Sequence, residues 1–216
     1  LFTGRDELGQ ALSGGTHDLK TLTGNLTTPP EVVAIGRVTV NFDGGQTTGR
    51  DLTPYWDQER GILRSTTGEL IWNYKQRFVE VRSPKTQAVI GFVGGKTISL
   101  PGVTVRLKTP FVSLIFTPLD NLVLAESRHI LITAMARDKQ TGSLYNADWS
   151  QLTQVGGPPL LMEPVEATLT FKGSRPSTVR PLDVYGVPRK ENIEVAANGS
   201  FSIDGTQQTF YYEVRR

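Results

Sequence analysis

Two glutamates beside predicted strands are the first candidates for chemistry in this chain. Glu126 precedes the apolar run that begins near residue 128, and Glu163 lies in segment 160–164, ahead of another strand. Two carboxylates can act as the acid and the base of a glycosidase or lyase if their separation is right. Alternatively, each forms an ion pair with an arginine such as Arg128 or Arg137. The sequence sets no distance between the two glutamates, so both interpretations stay open.

Other catalytic patterns are missing from the sequence. The chain has no cysteine, which excludes disulfides, zinc–thiolate sites and a cysteine nucleophile. Its two histidines, His17 and His129, are too few for a histidine-rich metal site. No G-x-S-x-G nucleophile elbow and no phosphate-binding glycine loop before a helix occurs. Beyond the two glutamates, the sequence therefore shows no recognisable catalytic motif.

Aromatic residues in turn-rich segments are candidates for ligand binding. Tyr55 and Trp56 lie in segment 53–57, and Tyr145, Asn146 and Trp149 lie in the long irregular stretch 138–159. An exposed ring can cover the apolar C–H face of a sugar while a neighbouring amide binds the hydroxyls. We predict a carbohydrate-binding site from these five residues. The alternative is that each ring plugs the end of a hydrophobic core.

The same stretch contains the candidate metal ligands. Asp138, Asn146 and Asp148 carry oxygen ligands of the kind that calcium prefers, but they lack the spacing of an EF-hand loop. No cofactor is predicted outright, and a bound calcium ion is the alternative.

Charge and hydropathy exclude two classes of partner. The 23 basic and 21 acidic residues leave a net charge of +2, and no basic run is interleaved with aromatics. This balance does not favour nucleic-acid binding. No run of about eighteen apolar residues exists, so no membrane-spanning helix is predicted. The hydrophobic content of 38% is that of a globular protein.

Short strands dominate the pattern from residue 31 onward. Segments 111–116 and 129–136 are apolar at both alternating positions, which predicts central strands covered on both faces. Other runs alternate normally, and Trp72, flanked by Leu70 and Tyr74, is assigned to the core. Gly94-Gly95 predicts one hairpin, and residues 199–204 and 209–214 predict another. We predict an all-β fold: a β-sandwich or jelly roll of about a dozen antiparallel strands.

Residues 1–30 differ from the rest, with one short helical pattern followed by Gly14-Gly15 and Pro29-Pro30. We expect a linker or the tail of a preceding domain there, and a single module over residues 31–216. Since the chain begins with Leu1, we expect it to be part of a longer polypeptide.

The order of several segments resembles the C-terminal β-sandwich region of large bacterial glycoside hydrolases. The segments are 62–72, 86–92, 125–137, 161–166 and 210–214. The resemblance implies a secreted or periplasmic, non-catalytic accessory module that follows a catalytic barrel and, in some cases, binds polysaccharide. Three hypotheses follow: a carbohydrate-binding module, a structural domain that braces the catalytic domain, and a small hydrolase using Glu126 and Glu163. Coplanar exposed rings would favour the first, and a broad apolar patch the second.

Overall fold

The computed structural model describes residues 31–38, 51–147 and 149–216. Two predictions lie outside the described residues: the linker over residues 1–30 and the candidate ligand Asp148. Among those described, no helix is long and apolar enough to cross a membrane.

The described chain is almost entirely β-structure. One short α-helix, α1 (Val32–Ile35), and one 3-10 turn (Gly205–Gln207) are its helical elements. The strands are β1 (Trp56–Asp57), β2 (Ile62–Arg64), β3 (Leu70–Asn73), β4 (Phe78–Arg82), β5 (Gln87–Phe92), β6 (Thr97–Ser99), β7 (Val103–Leu107), β8 (Phe111–Pro118), β9 (His129–Met135), β10 (Asp138–Thr141), β11 (Leu144–Tyr145), β12 (Leu152–Gln154), β13 (Gly157–Met162), β14 (Ala167–Phe171), β15 (Thr178–Pro181), β16 (Ser200–Ile203) and β17 (Tyr211–Arg215).

Two antiparallel sheets form the body of the module. The larger has the order β1-β2-β3-β4-β5-β8-β9-β17-β15, and the smaller has the order β16-β14-β7-β6. Two further ribbons, β10-β13 and β11-β12, belong to residues 138–162, which we call the arm. The predicted all-β, antiparallel class is confirmed, and the arrangement is consistent with a β-sandwich. The jelly-roll topology stays a prediction.

One hydrophobic core joins the two sheets. Alternate residues of the central strands, among them Phe116 on β8 and Ile132 on β9, are completely buried. They meet the inner residues of the smaller sheet, and the Phe116 ring lies edge-on to Phe171 of β14 with centroids 5.9 Å apart. This two-sheet packing is what alternating apolar residues on short strands favour.

Several predicted pairings are wrong, although the strands themselves exist. Gly94-Gly95 connects β5 to β6, which lie in different sheets rather than in a hairpin. The closing segments also separate, since β16 pairs with β14 while β17 pairs with β9 and β15. The predicted strand over 191–197 is irregular, and that over 178–187 ends at Pro181. Strand patterns are local, whereas the choice of sheet depends on contacts between distant segments.

A glycine in β5 permits the close packing of the larger sheet. Gly91 has φ +126°, and a Cβ there would lie 2.3 Å from the Arg77 carbonyl oxygen. Gly91 pairs with Phe78 on one side and Val112 on the other, so a side chain at this position would push two strands apart.

Candidate functional site

The main surface feature is the face of the larger sheet that turns away from the smaller sheet, which we call the outer face. Cross-strand pairing arranges its side chains in two rows running from β3 to β9. The first row is Trp72, Val79, Ile90, Ser113 and Met135, and the second is Leu70, Val81, Ala88, Ile115 and Thr133. All but two of these side chains are apolar.

The outer face is much less covered than the core. Leu70, Trp72 and Met135 keep 45%, 42% and 40% of their area exposed, whereas the inner-face residues of β8 and β9 are buried. Outer-face residues such as Ile90 and Leu131 are only half-buried. The prediction that β8 and β9 are covered on both sides is therefore wrong for the described residues. These strands are central in sheet order, but their apolar outer positions remain accessible.

The smaller sheet shows the opposite character on its own solvent side. Its exposed rows consist of Ser202, Thr168, Arg106 and Thr97, and of Ser200, Thr170, Thr104 and Ser99. Every one of these side chains is polar, as expected for an antiparallel sheet with one solvated face. The two solvent sides of the same sandwich therefore differ in kind. Of the two sheets, only the larger has apolar rows on its solvent-facing side.

A charged cluster borders the apolar rows on the same outer face. Glu213 of β17 is 6% exposed and bonds to His129, Arg180 and Arg215, each at 2.7–2.8 Å. Desolvation by itself raises the pKa of Glu213, but the hydrogen bonds and charges of Arg180 and Arg215 together outweigh it, and the net pKa is lowered. Glu213 is therefore held ionised among three cationic or protonatable side chains. His129 is half-buried and is a hydrogen-bonded partner of Glu213 in this cluster.

Rings near the β1–β3 edge of the sheet contact one another. The Trp56 indole N–H donates to the Tyr74 hydroxyl at 3.4 Å, and Trp72 lies edge-on to Tyr74 with ring centroids 6.0 Å apart. Tyr55 and Trp56 are half-buried. Placing Trp72 in the core is wrong: it shares a face with Leu70 as predicted, but that face is the outer one. Pairing with β4, which no local pattern reveals, decides which side of β3 is covered.

The second predicted ring site lies in the arm. Tyr145 and Trp149 stack at 4.9 Å and 11°, and the Arg137 guanidinium lies 4.2 Å from the Trp149 ring centroid. The Asn146 amide donates to Ser150 Oγ, and its carbonyl oxygen accepts from the Gln151 N–H. Trp149 thus packs against Tyr145 and Arg137, and Asn146 closes the loop that carries it. Trp149 still exposes 38% of its area.

The five predicted sugar-binding residues fall into two groups rather than one platform. Tyr55 and Trp56 lie at the β1 edge of the larger sheet. Tyr145, Asn146 and Trp149 belong to the arm, which follows β9, six strands away in the sheet order. At about 4.8 Å per strand, these groups are on the order of 30 Å apart.

The two glutamates lie at opposite ends of β9. Glu126 is an exposed turn residue ahead of the strand, and Glu163 accepts two hydrogen bonds, at 2.8 and 2.9 Å, from Arg137 beyond the strand's other end. Seven strand residues span roughly 23 Å, far beyond the ~5–9.5 Å of glycosidase pairs. The Arg137 hydrogen bond also lowers the pKa of Glu163, the opposite of what a general acid needs. The structure therefore does not bring this pair together.

The metal prediction is not supported by a cluster of ligands. Asp138 is exposed on β10, and the described residues contain no group of three acidic or histidine side chains that could hold an ion. Asp148 lies outside them.

No protein-family model matches this chain, and neither a curated protein nor a solved structure is significantly similar to it. The class of the protein is therefore defined by its own architecture: an all-β, two-sheet module with one polar and one apolar outer surface.

Proposed function

We propose that this chain is a non-catalytic accessory module that packs through its outer face onto a neighbouring folded domain of the same polypeptide. The observation that carries the proposal is the pair of apolar rows from β3 to β9, whose members other than the buried Ala88 are partly or largely accessible to solvent. Contiguous apolar surface of this kind marks interaction sites in soluble proteins. This proposal corresponds to the hypothesis of a structural domain that braces a catalytic domain, which a broad apolar patch would favour.

Polar groups border the apolar rows, as at protein interfaces. On the β15 side lies the Glu213 cluster, whose charges already neutralise one another in part. At the end where β5 terminates, the Arg77 guanidinium lies 4.1 Å from the Phe92 ring centroid. An apolar centre with a polar rim is the usual anatomy of a specific interface. A water-facing sheet would instead repeat the polar rows seen on the smaller sheet.

The resemblance to accessory regions of glycoside hydrolases suggests which neighbour to expect. We propose that it is a catalytic domain acting on polysaccharide, in a secreted or periplasmic bacterial enzyme. A jelly-roll connection of the strands belongs to the same proposal.

Methionine oxidation can test the docking of the outer face directly. The chain has two methionines: Met135 on the outer face and Met162 in the arm. In a longer polypeptide that includes the neighbouring domain, hydrogen peroxide should oxidise Met135 about tenfold more slowly than in the isolated chain, because the domain covers it. Met162 serves as the internal reference in mass spectrometry.

A matched pair of variants sharpens this test. Ile90→Lys places a charge in the centre of the apolar rows, and it should restore rapid oxidation of Met135 in the longer polypeptide. Thr170→Lys makes a similar change on the polar side of the smaller sheet and should leave Met135 protected. Equal oxidation rates of Met135 with and without the neighbour would contradict the proposal.

A second candidate function, polysaccharide binding, is favoured by the accessible Tyr145–Trp149 stack beside Asn146. Stacking on a sugar would contribute about 1–2 kcal/mol, by analogy with aromatic pairs. Trp149→Ala should then weaken retardation in affinity electrophoresis against plant and algal polysaccharides about tenfold. Trp56→Ala tests the other ring group in the same gels. A wild-type chain that no polysaccharide retards would reject this candidate and leave the docking proposal untouched.

A further inference from the structure

A second apolar surface lies at one end of the sandwich, separate from the outer face. Strands β9 and β15 are both antiparallel to β17, so they run in the same direction and end on the same side. The arm follows β9, and an exposed turn, Asp183–Val187, follows β15. With only β17 between the two strands, the turn and the arm are separated by roughly 10 Å across the sheet, and the arm begins four residues farther along the strand direction.

The turn is apolar at its tip and firmly held. Val184, Tyr185 and Val187 keep 73%, 88% and 57% of their area exposed. The Asp183 carboxylate accepts hydrogen bonds from the backbone N–H groups of Tyr185 and Val187, at 2.9 and 2.8 Å. Because this backbone is already ordered, binding through the tip loses little conformational entropy.

The arm is also apolar and almost uncharged. Leu144, Leu152, Val155, Leu160 and Leu161 expose between 43% and 81% of their area. Between Lys139 and Glu163 the sequence has one charged residue, Asp148. Two-stranded ribbons such as these are marginally stable in water without further packing.

The sides of the ribbons, rather than their edges, are available for contact. Pro158 and Pro159 remove two backbone donors from β13, which blunts strand addition at its edge. Gly156 belongs to the tightly packed bend of the arm, where a Cβ would lie 2.2 Å from the Thr141 carbonyl oxygen. The arm is therefore available for contact through the apolar side chains on its sides and not through an unpaired strand edge.

We propose that this end of the sandwich is a homodimer interface, in which the arm of one copy packs against the Asp183–Val187 turn of a second copy. A two-fold axis makes such a contact reciprocal, because each copy supplies one arm and one turn. The scarcity of charge favours a second copy as the occupant, since two identical charged surfaces would repel each other.

The exposed area is sufficient for a stable dimer. At roughly 200 Å² for a large side chain, the eight apolar residues of the arm and turn expose on the order of 1,000 Å². Leu160 and Leu161 are successive residues of β13 and face opposite sides of the ribbon, so one contact buries only part of this area. Stable interfaces bury about 800 Å² per partner, of which roughly 60% is apolar. One side of the arm together with the turn therefore supplies apolar area of that order, without the outer face that the proposed function uses.

Sedimentation velocity of the whole chain tests the dimer. The weakest interfaces of this size have a Kd in the micromolar range. At about 50 µM, which is above that Kd, the wild type should sediment as a dimer. Val155→Asp and Tyr185→Asp should each weaken association by at least about tenfold. The matched control is Leu119→Asp: Leu119 is 52% exposed just after β8, at the opposite end of the sandwich, and its replacement should leave the dimer intact.

Cross-linking provides a readout that does not depend on a disruptive substitution. Because the chain has no cysteine, Val155→Cys and Tyr185→Cys each carry one thiol. A short bismaleimide added to an equal mixture should join arm to turn between copies. Lys85→Cys, in the exposed turn between β4 and β5 at the opposite end, should stay unlinked.

Three results would overturn the inference. One is a wild-type chain that stays monomeric at this concentration, and another is Leu119→Asp dissociating the dimer as strongly as Val155→Asp. The third is that the thiols of Val155→Cys and Tyr185→Cys are protected from the maleimide only in a longer polypeptide. That result would assign this end of the sandwich to the neighbouring domain. None of these outcomes depends on Met135 oxidation, so failure here is distinguishable from failure of the proposed function.

Discussion

Replacing Ile132 with alanine is expected to lower the free energy of unfolding of the isolated chain by about 2–5 kcal/mol. Ile132 is completely buried on β9 and belongs to the core between the two sheets. Removing its side chain leaves a cavity that the surrounding core residues cannot fill without moving. Its adjacent residue, Leu131, points to the outer face and is only half-buried. Leu131→Ala should therefore cost about 1 kcal/mol or less.

Urea denaturation of the two variants measures this difference. The pair is well matched because the substitutions are neighbours on one central strand and remove side chains of equal size. A loss at Leu131 as large as that at Ile132 would show that something covers the outer face within the isolated chain. A loss under about half a kcal/mol at both positions would contradict the central place of β9.

Replacing Glu213 with glutamine is expected to destabilise the chain by about 2–3 kcal/mol at neutral pH. The carboxylate of Glu213 is buried among Arg180, Arg215 and His129, and glutamine would leave these side chains without a counter-charge. The partial exposure of both arginines keeps the expected loss below that of a fully buried pair.

The loss should depend on pH in a defined direction. Since the folded pKa of Glu213 is lowered, its ionised form stabilises the fold above the unfolded pKa of about 4.3. This stabilisation is lost as the pH falls through the lower, folded pKa. The gap between wild type and Glu213→Gln should therefore be widest near pH 6–7 and shrink towards pH 3. A gap of equal size from pH 7 to pH 3 would show that Glu213 acts through packing instead of charge.

Sequence patterns correctly indicated most strands, because alternation and turn residues are local signals. Residues 129–135 form β9, and residues 111–118 form β8, close to the predicted limits. Pairing was predicted less well. Gly94-Gly95 makes a turn, as expected, but the strands on either side enter different sheets. A turn sequence specifies a change of direction, whereas the partner of the next strand depends on the core that it joins.

The candidate sites show the same division. The predicted ion pair of Glu163 with Arg137 exists, yet nothing local revealed that Glu126 lies at the other end of β9. Trp149 lies in a polar segment. Its contacts with Tyr145 and Arg137 arise only because the arm folds back towards the residue that precedes it in the chain. No sequence pattern indicated the exposed turn at Asp183–Val187, since its Val and Tyr residues look like part of a strand.

The sequence by itself determined that this protein is all-β and has no cysteine chemistry. It also showed, in the doubly apolar runs of β8 and β9, that both faces of these strands carry apolar side chains. Only the tertiary structure decided that the smaller sheet covers one side and that the other forms an apolar outer face. The physical reason is that side-chain hydropathy is a property of each residue, whereas its cover comes from segments distant in the chain or from another protein surface.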